Sequence, residues 1–164
     1  MANILVKQVD VGSVQIFLKV VGSDGKALTA DESPLKKDHC EIQSFTISSA
    51  AQWDPKHGTT AQGGVTVSSL SVSRVVLPSS PQMFNAVIRE EQLKSVEVVA
   101  QRKGAKDVVF TVKLEDARIS SCSLSGSTEA TMNESLTFEG VRLMIRHEVG
   151  PKEIQWDWQK QQSV

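Results

Sequence analysis

The sequence predicts a mainly β fold: a single antiparallel β-barrel or sandwich of two packed sheets, with one short α-helix. Several runs alternate between apolar and polar residues with a period of two, which is typical of half-buried strands. Val, Ser and Thr fill these runs, and aromatic residues make up only 5 % of the chain. Neither an internal repeat nor a linker divides the 164 residues, so we expect one domain, residues 1–164.

Strand-like runs follow one another along the chain, separated by stretches rich in Gly, Pro and polar residues. A polar loop with Pro34 is predicted for 26–39, and an extended irregular loop for 49–64. The apolar face changes near Ser68 and Ser69, which predicts a bend or bulge there. The predicted strands are residues 3–9, 14–21, 41–48, 65–77, 95–102, 108–119, 136–149 and 154–158.

The C-terminal third has the clearest alternation. In the run 108–119, Phe110, Val112 and Leu114 share one face, and Lys113 and Glu115 lie on the other. In the run 136–149 the apolar positions slip by one residue at Gly140. A β-bulge at this glycine would keep one face apolar across the inserted residue.

One helix is predicted after residue 79. Ser80 suits the N-cap, and Pro81 fits the first helical position. The helix should end near Glu91. Phe84, Val87 and Ile88 recur at helical spacing, and we expect them to form its apolar face.

Composition argues against several classes of function. The net charge is −1, whereas phosphate recognition needs a surplus of Lys and Arg, so nucleic acid is not an expected partner. No apolar run is long enough for a membrane helix, and the first residues lack the pattern of a signal peptide. We expect no membrane insertion, and any export would use another route.

Few residues of the sequence are candidates for catalysis or metal binding. The three histidines lack ligand spacing and are expected at the surface, and no nucleophile elbow or phosphate loop occurs. Cys40 and Cys122 are expected to be reduced, buried thiols. The sequence therefore predicts no catalytic residue, no metal site and no cofactor. The histidines are His39, His57 and His147.

The tryptophans and the Ser/Gly segment are candidates for contacts. Trp53, in a polar loop, either folds back onto its own core or docks on another copy of the chain, since Trp is enriched at interfaces. Trp156 and Trp158 share one face of a strand and are expected in the core. Residues 123–131 are small and polar, which predicts a solvated hairpin connection.

The order of these features resembles a known family. The run 114–123, the Ser/Gly/Thr segment to Thr131, the run 134–139 and the aromatic strand 154–158 are similar to the haemolysin co-regulated proteins, the Hcp family. These proteins form the inner tube of bacterial type VI secretion systems. Residues 79–86 fall where the family has its single helix, and residues 1–12 look like an additional N-terminal segment.

The resemblance implies a structural protein rather than an enzyme. Six copies would form a ring, and rings would stack into a hollow tube that carries effector proteins. The implied partners are other copies of the chain, the tip spike, the contractile sheath and effectors. The protein would reside in the bacterial cytoplasm and then leave through the apparatus.

The resemblance also implies two sites. The long loop would project towards the next ring, and the Ser/Gly segment would face the lumen and its cargo. The candidate ring-stacking residues are Gln52, Trp53, Asp54, Pro55, Lys56 and His57, and the candidate cargo-contact residues are Ser125, Gly126 and Ser127.

Two other functions stay open at this stage. A tail-tube protein of a phage or related contractile particle would share the fold and the assembly. A monomeric β-barrel binding module would instead have a concave apolar cavity and stay monomeric.

Overall fold

The fold was analysed in a computed structural model, which describes residues 13–56, 58–160 and 162–163. The predicted strand 3–9, the additional segment 1–12 and His57 lie outside the described residues. Within the described part there is one helix, α1 (Ser80–Ile88). The strands are β1 (Val14–Gly22), β2 (Cys40–Ile42), β3 (Ser44–Thr46), β4 (Ser49–Asp54), β5 (Thr59–Val67), β6 (Leu70–Val75), β7 (Gln92–Arg102), β8 (Val108–Ser127), β9 (Ala130–Glu139), β10 (Arg142–His147), β11 (Lys152–Asp157) and β12 (Gln162–Ser163).

A long hairpin organises the fold. β8 pairs antiparallel with β9 through its second half and with β10 through its first half, so β9 and β10 act as one interrupted strand. The interruption lies at Gly140 and Val141, as the sequence slip predicted. Opposite it, Asp116 has a φ of 50°, a left-handed conformation that breaks the regularity of β8.

The two halves of this hairpin belong to two packed faces. The first face has the strand order β12-β11-β10-β8-β7-β1-β2. The second face consists of β3, β6, β9 and the second half of β8. Between them lies one apolar core with members from both faces and from the helix, including Leu18, Val98, Val112, Leu136 and Phe138. The predicted mainly β fold with one short helix is confirmed. The described ladders form a sandwich and do not close into a continuous barrel.

The predicted strand 65–77 is two strands. It breaks at Ser68 and Ser69, where a change of face was expected, and the chain passes from β5 to β6. Within the described part of the chain, β5 pairs only with β4, in a separate two-stranded sheet. The prediction of an irregular loop over 49–64 was therefore wrong for most of its length. The glycines and the proline of this stretch indicated a loop, although most of its residues belong to β4 and β5.

The helix forms where predicted but buries another face. Met83 and Ala86 are buried, whereas Phe84 and Ile88 are 42 % and 69 % exposed. The predicted apolar face was thus wrong for two of its three members. The helix ends at Ile88 instead of near Glu91. Among the described residues no helix is long and apolar enough to cross a membrane.

Replacing Gly140 tests the interruption between β9 and β10. A Cβ at this position would lie 3.2 Å from both the Glu115 carbonyl oxygen and the Leu114 Cβ. We expect Gly140→Val to lower the free energy of unfolding by about 1–3 kcal/mol through overpacking, measured by chemical denaturation. Ser71→Val adds a similar side chain at an exposed position of β6 and should change the free energy of unfolding by less than about 0.5 kcal/mol. Equal values for both variants would contradict this account.

Candidate functional site

The predicted ring-stacking residues lie at the end of the β4–β5 hairpin. Trp53 pairs with Thr60 and Asp54 with Thr59, so the chain turns at Pro55–Gly58. Gln52, Pro55 and Lys56 are exposed. The structure therefore brings residues 52–56 together at one projecting tip. His57 and the side chains of Trp53 and Asp54 lie outside the described structure, so the two readings of Trp53 stay predictions.

Hydrogen bonds close the base of this hairpin and join it to Trp158. Ser48 and Ser68 bridge its two strands, since the Ser68 amide donates to the Ser48 carbonyl and the Ser48 amide donates to Ser68 Oγ, both at 2.8 Å. Trp158 Nε1 donates to the Val67 carbonyl at 3.2 Å. Trp156 and Trp158 are partly buried against the core, as predicted. Beside the base lies an apolar groove of about 260 Å³, lined by Ile47, Val65, Val67, Ile145, Ile154 and Trp156 among others.

The predicted cargo-contact residues belong to a second hairpin. β8 extends to Ser127 and β9 begins at Ala130, so the connection is only Thr128 and Glu129. The predicted connection over 123–131 was too long, because small polar residues also suit an exposed strand. Ser125 pairs with Asn133 and Ser127 with Ala130, and residues 125–127 are exposed.

A buried ion pair lies in the core between the two faces. Arg74 on β6 and Glu134 on β9 are both fully buried, and Arg74 Nε contacts Glu134 Oε1. Arg74 Nη2 donates to Ser79 Oγ at 2.9 Å and Nη1 to Cys40 Sγ at 3.2 Å. One guanidinium therefore joins β6, β9, β2 and the start of the helix.

The loop before β2 contributes a second carboxylate. Glu32 Oε1 lies 3.7 Å from Arg74 Nη1, and Glu32 Oε2 accepts the Ser79 amide at 3.2 Å. Ser80 Oγ accepts the Leu77 amide at 3.0 Å. These serine hydroxyls serve the ion cluster and the turn. The expected Ser80 cap is therefore absent, and Ser79 occupies the N-cap without a capping hydrogen bond from its side chain to a helix amide.

The sequence prediction missed this cluster, although a signal was present. Arg74 follows Leu70 and Val72 at every second position, and Glu134 precedes Leu136 and Phe138 in the same way. A charged residue on a buried face needs a partner of opposite charge. Parity alone could therefore have indicated that Arg74 and Glu134 each need a buried partner of opposite charge, although not which residue supplies it.

His39 differs from the expectation of a surface position, whereas His147 agrees with it. His39 is 7 % exposed, with Nδ1 2.7 Å from the Lys37 carbonyl oxygen and Nε2 3.6 Å from Glu97 Oε1. The interaction with His39 lowers the pKa of Glu97, which outweighs the opposite effect of burial. His147 is exposed at the edge of the Phe110 ring. Among the described residues, no three His, Cys, Asp or Glu side chains could hold a metal ion together.

The family model described as "Type VI secretion system effector, Hcp" matches residues 17–145, more than half of the chain. The chain belongs to the Hcp family. It is thus a type VI secretion Hcp protein, as the resemblance implied. A search of curated proteins gives no match.

Solved Hcp structures share the fold. A crystal structure of an Hcp protein has a TM-score of 0.77 at 20 % identity, covering 89 % of this chain and 98 % of its own. Hcp1 from Salmonella typhimurium has a TM-score of 0.71 at 17 % identity, covering 93 % and 100 %. Hcp3 from Pseudomonas aeruginosa, a secreted protein, has a TM-score of 0.67 at 19 % identity, covering 89 % and 99 %.

The buried ion pair gives a stability prediction. Arg74→Met leaves the Glu134 carboxylate buried without its partner, so the free energy of unfolding should fall by about 3–5 kcal/mol. Arg74→Met/Glu134→Met removes both charges and should be less destabilised than the single variant. Denaturant unfolding measures both variants. Arg118→Met, at an exposed ion pair with Glu139, should change the value by less than about 1 kcal/mol. A loss below 1 kcal/mol for Arg74→Met would contradict the role of this pair.

The two free thiols should react slowly in the native protein. Burial, followed by the Glu134 charge, raises the pKa of Cys122 to about 11, and burial also raises the pKa of Cys40. Because only the thiolate is alkylated, Cys122 should react with iodoacetamide at pH 8 about a hundredfold more slowly than a free thiol. Mass spectrometry of time points measures this, with Ser123→Cys as an exposed control. Equal rates at positions 122 and 123 would show that the Cys122 pKa is not raised.

Proposed function

We propose that this Hcp protein is a structural subunit of the type VI secretion tube. Six copies form a head-to-tail ring, rings stack into a hollow cylinder, and the cylinder is expelled by the sheath together with effector proteins. The tip spike lies at one end of the tube. The chain acts through its surfaces and not as an enzyme. It is made in the cytoplasm and leaves the cell through the apparatus.

The β4–β5 hairpin carries the proposal of stacking. Among the described residues it is a separate two-stranded sheet; Ser48 and Ser68 close its base, and Trp158 bonds the base to the rest of the chain. A two-stranded hairpin is marginal in water without further contacts. A neighbouring ring would supply such contacts to the tip, Gln52–His57. Trp53 would provide the largest contact area there.

Ring closure is favoured by the arrangement of apolar surface. Phe84 and Ile88 are exposed on the helix, while Val65 and Ile154, exposed at 43 % and 59 %, border the groove beside the hairpin base. Different patches on one subunit suit a heterologous interface, which generates a ring when its rotation closes. In the ring, Ser125, Gly126 and Ser127 would face the lumen and contact cargo.

The pockets of the described residues give little support to the alternative of a monomeric binding module. Its apolar groove of about 260 Å³ is smaller than ordinary ligand pockets, about 300–1,000 Å³. A larger depression of about 750 Å³ has both apolar and charged lining residues, and its charged side chains pair with one another: Arg142 Nε lies 3.6 Å from Glu115, and Lys113 Nζ lies 3.8 Å from it. Family membership also favours a secretion tube over a phage tail tube.

A substitution at the hairpin tip tests stacking. Trp53→Ala should leave single rings intact and abolish ring pairs and longer stacks, because the tip loses its main contact area. Negative-stain electron microscopy of concentrated, chemically cross-linked protein distinguishes rings from stacks. Leu35→Ala truncates another exposed apolar residue and should stack like the unmodified chain. Stacks of unchanged length in Trp53→Ala would contradict the role of the tip.

A further inference from the structure

Part of the first face is also buried on the side away from the core. Leu18 and Val98 belong to the core between the two faces. Phe17, Val99 and Thr111 pair with one another across β1, β7 and β8, and the alternation of strand side chains places them on the opposite side. They are nevertheless only 0 %, 4 % and 7 % exposed. Another part of the chain therefore covers this side.

The loop between β1 and β2 reaches this side. Lys36 Nζ donates to Gln101 Oε1 at 3.4 Å, and His39 Nε2 lies 3.6 Å from Glu97 Oε1. Glu97 and Gln101 have the same parity as the covered residue of β7, so both contacts lie on the covered side. The part of the loop held there, residues 33–37, is called the strap.

The two ends of the strap are held by other contacts. Before it, Glu32 Oε1 lies 3.7 Å from Arg74 Nη1 in the ion cluster. After it, Thr29 Oγ1 donates to the Asp38 carbonyl at 2.7 Å. The middle of the strap is therefore attached to β7 by Lys36, through a long hydrogen bond, and by the imidazole of the histidine that follows it.

Both ring nitrogens of His39 face acceptors. Nδ1 lies 2.7 Å from the Lys37 carbonyl oxygen, and because a carbonyl can only accept, Nδ1 carries a hydrogen. Nε2 is buried, and among the described residues no hydrogen bond reaches it, although Glu97 Oε1 lies 3.6 Å away. A doubly protonated ring donates from both nitrogens. A neutral ring with its hydrogen on Nδ1 instead turns the Nε2 lone pair towards the carboxylate.

The surrounding charges determine how this contact depends on pH. The hydrogen bond with His39 lowers the pKa of Glu97 against the effect of burial, and the charges of Lys113 on β8 and Lys19 on β1 lower it further. A carboxylate whose pKa is lowered on folding loses its stabilising effect only as the pH falls through that lowered value. Glu97 therefore stays ionised near neutral pH, whereas histidine side chains change charge between about pH 5 and 8. The charged residues next to His39 along the chain are Lys36, Lys37, Asp38 and Glu41.

We propose that protonated His39 latches the strap, residues 33–37, onto β7, and that loss of its proton loosens the strap from the sheet. The charged ring joins the Lys37 carbonyl to the Glu97 carboxylate, so one proton fixes the strap to the strand beneath it. A neutral ring keeps only the first of these contacts. Loosening the strap uncovers the apolar side chains below it. The latch lies within one chain and does not require the proposed assembly.

Amide hydrogen exchange at two pH values tests the latch. Protection factors, which compare each exchange rate with the intrinsic rate at the same pH, are measured for residues 33–39 at about pH 5.5 and about pH 8. We expect protection in the unmodified chain to be at least about fivefold lower at the higher pH. In His39→Gln, whose side chain does not titrate, protection should be equal at both values. In His147→Gln, which removes an exposed histidine, protection should fall as in the unmodified chain.

A third variant separates a charge latch from general loosening. The amide of Glu97→Gln can donate to a neutral Nε2 and offers no charge to the imidazolium, so protection of the strap should no longer fall at the higher pH. Light scattering reports the mass of the protein in the same samples. Equal protection at both pH values in the unmodified chain would overturn the latch, as would an undiminished fall in His39→Gln or in Glu97→Gln. A loss of protection confined to samples whose mass also changes would overturn it too.

Discussion

The buried charge of Arg74 is the constraint around which the fold is arranged. A guanidinium without exposure to water needs partners for its charge and its donors, and they come from four different parts of the chain: Glu134, Cys40, Ser79 and Glu32. Because these partners lie far apart in the sequence, the ion cluster forms only when both faces and the helix are in place. A misassembled sandwich would leave a charge unpaired in the core, at a cost of several kcal/mol.

The buried charges of the ion cluster find their partners within one chain, whereas parts of the outer structure are not completed within one chain. Among the described residues, the β4–β5 hairpin has no third strand, and β8 pairs only with β9 beyond Arg118. Apolar side chains such as Ile88 and Ile154 also remain exposed. A subunit whose incomplete edges and apolar patches lie on different surfaces is suited to assembly, where neighbouring copies supply the missing contacts.

Much of the fold could be predicted from local patterns. Alternation located most strands, and slips in parity located the breaks at Ser68–Ser69 and at Gly140, because a period of two makes one inserted residue visible. The helix was located by its Ser-Ser-Pro start, but its buried face was not. Phe84 and Ile88 have helical spacing, yet whether that face or the one with Met83 meets the core depends on tertiary packing.

The candidate sites were harder to predict from local sequence patterns. Glycines and a proline around Trp53 indicated a loop, and only the pairing of β4 with β5 shows a projecting hairpin. The Arg74–Glu134 contact joins residues 60 positions apart, so the sequence could indicate the need for a partner but not which residue meets it. The stacking and cargo roles of the two hairpins depend on other molecules and rest on the proposed assembly.

The most direct test of this account is the absolute mass of the purified native protein, measured by light scattering after size exclusion. A ring of six chains predicts a species near six times the 17.9 kDa mass of one chain. Annular particles in electron microscopy of the same fraction would agree with it. A single species at 17.9 kDa across a roughly hundredfold range of concentration would contradict the ring, since mass action favours assembly as concentration rises.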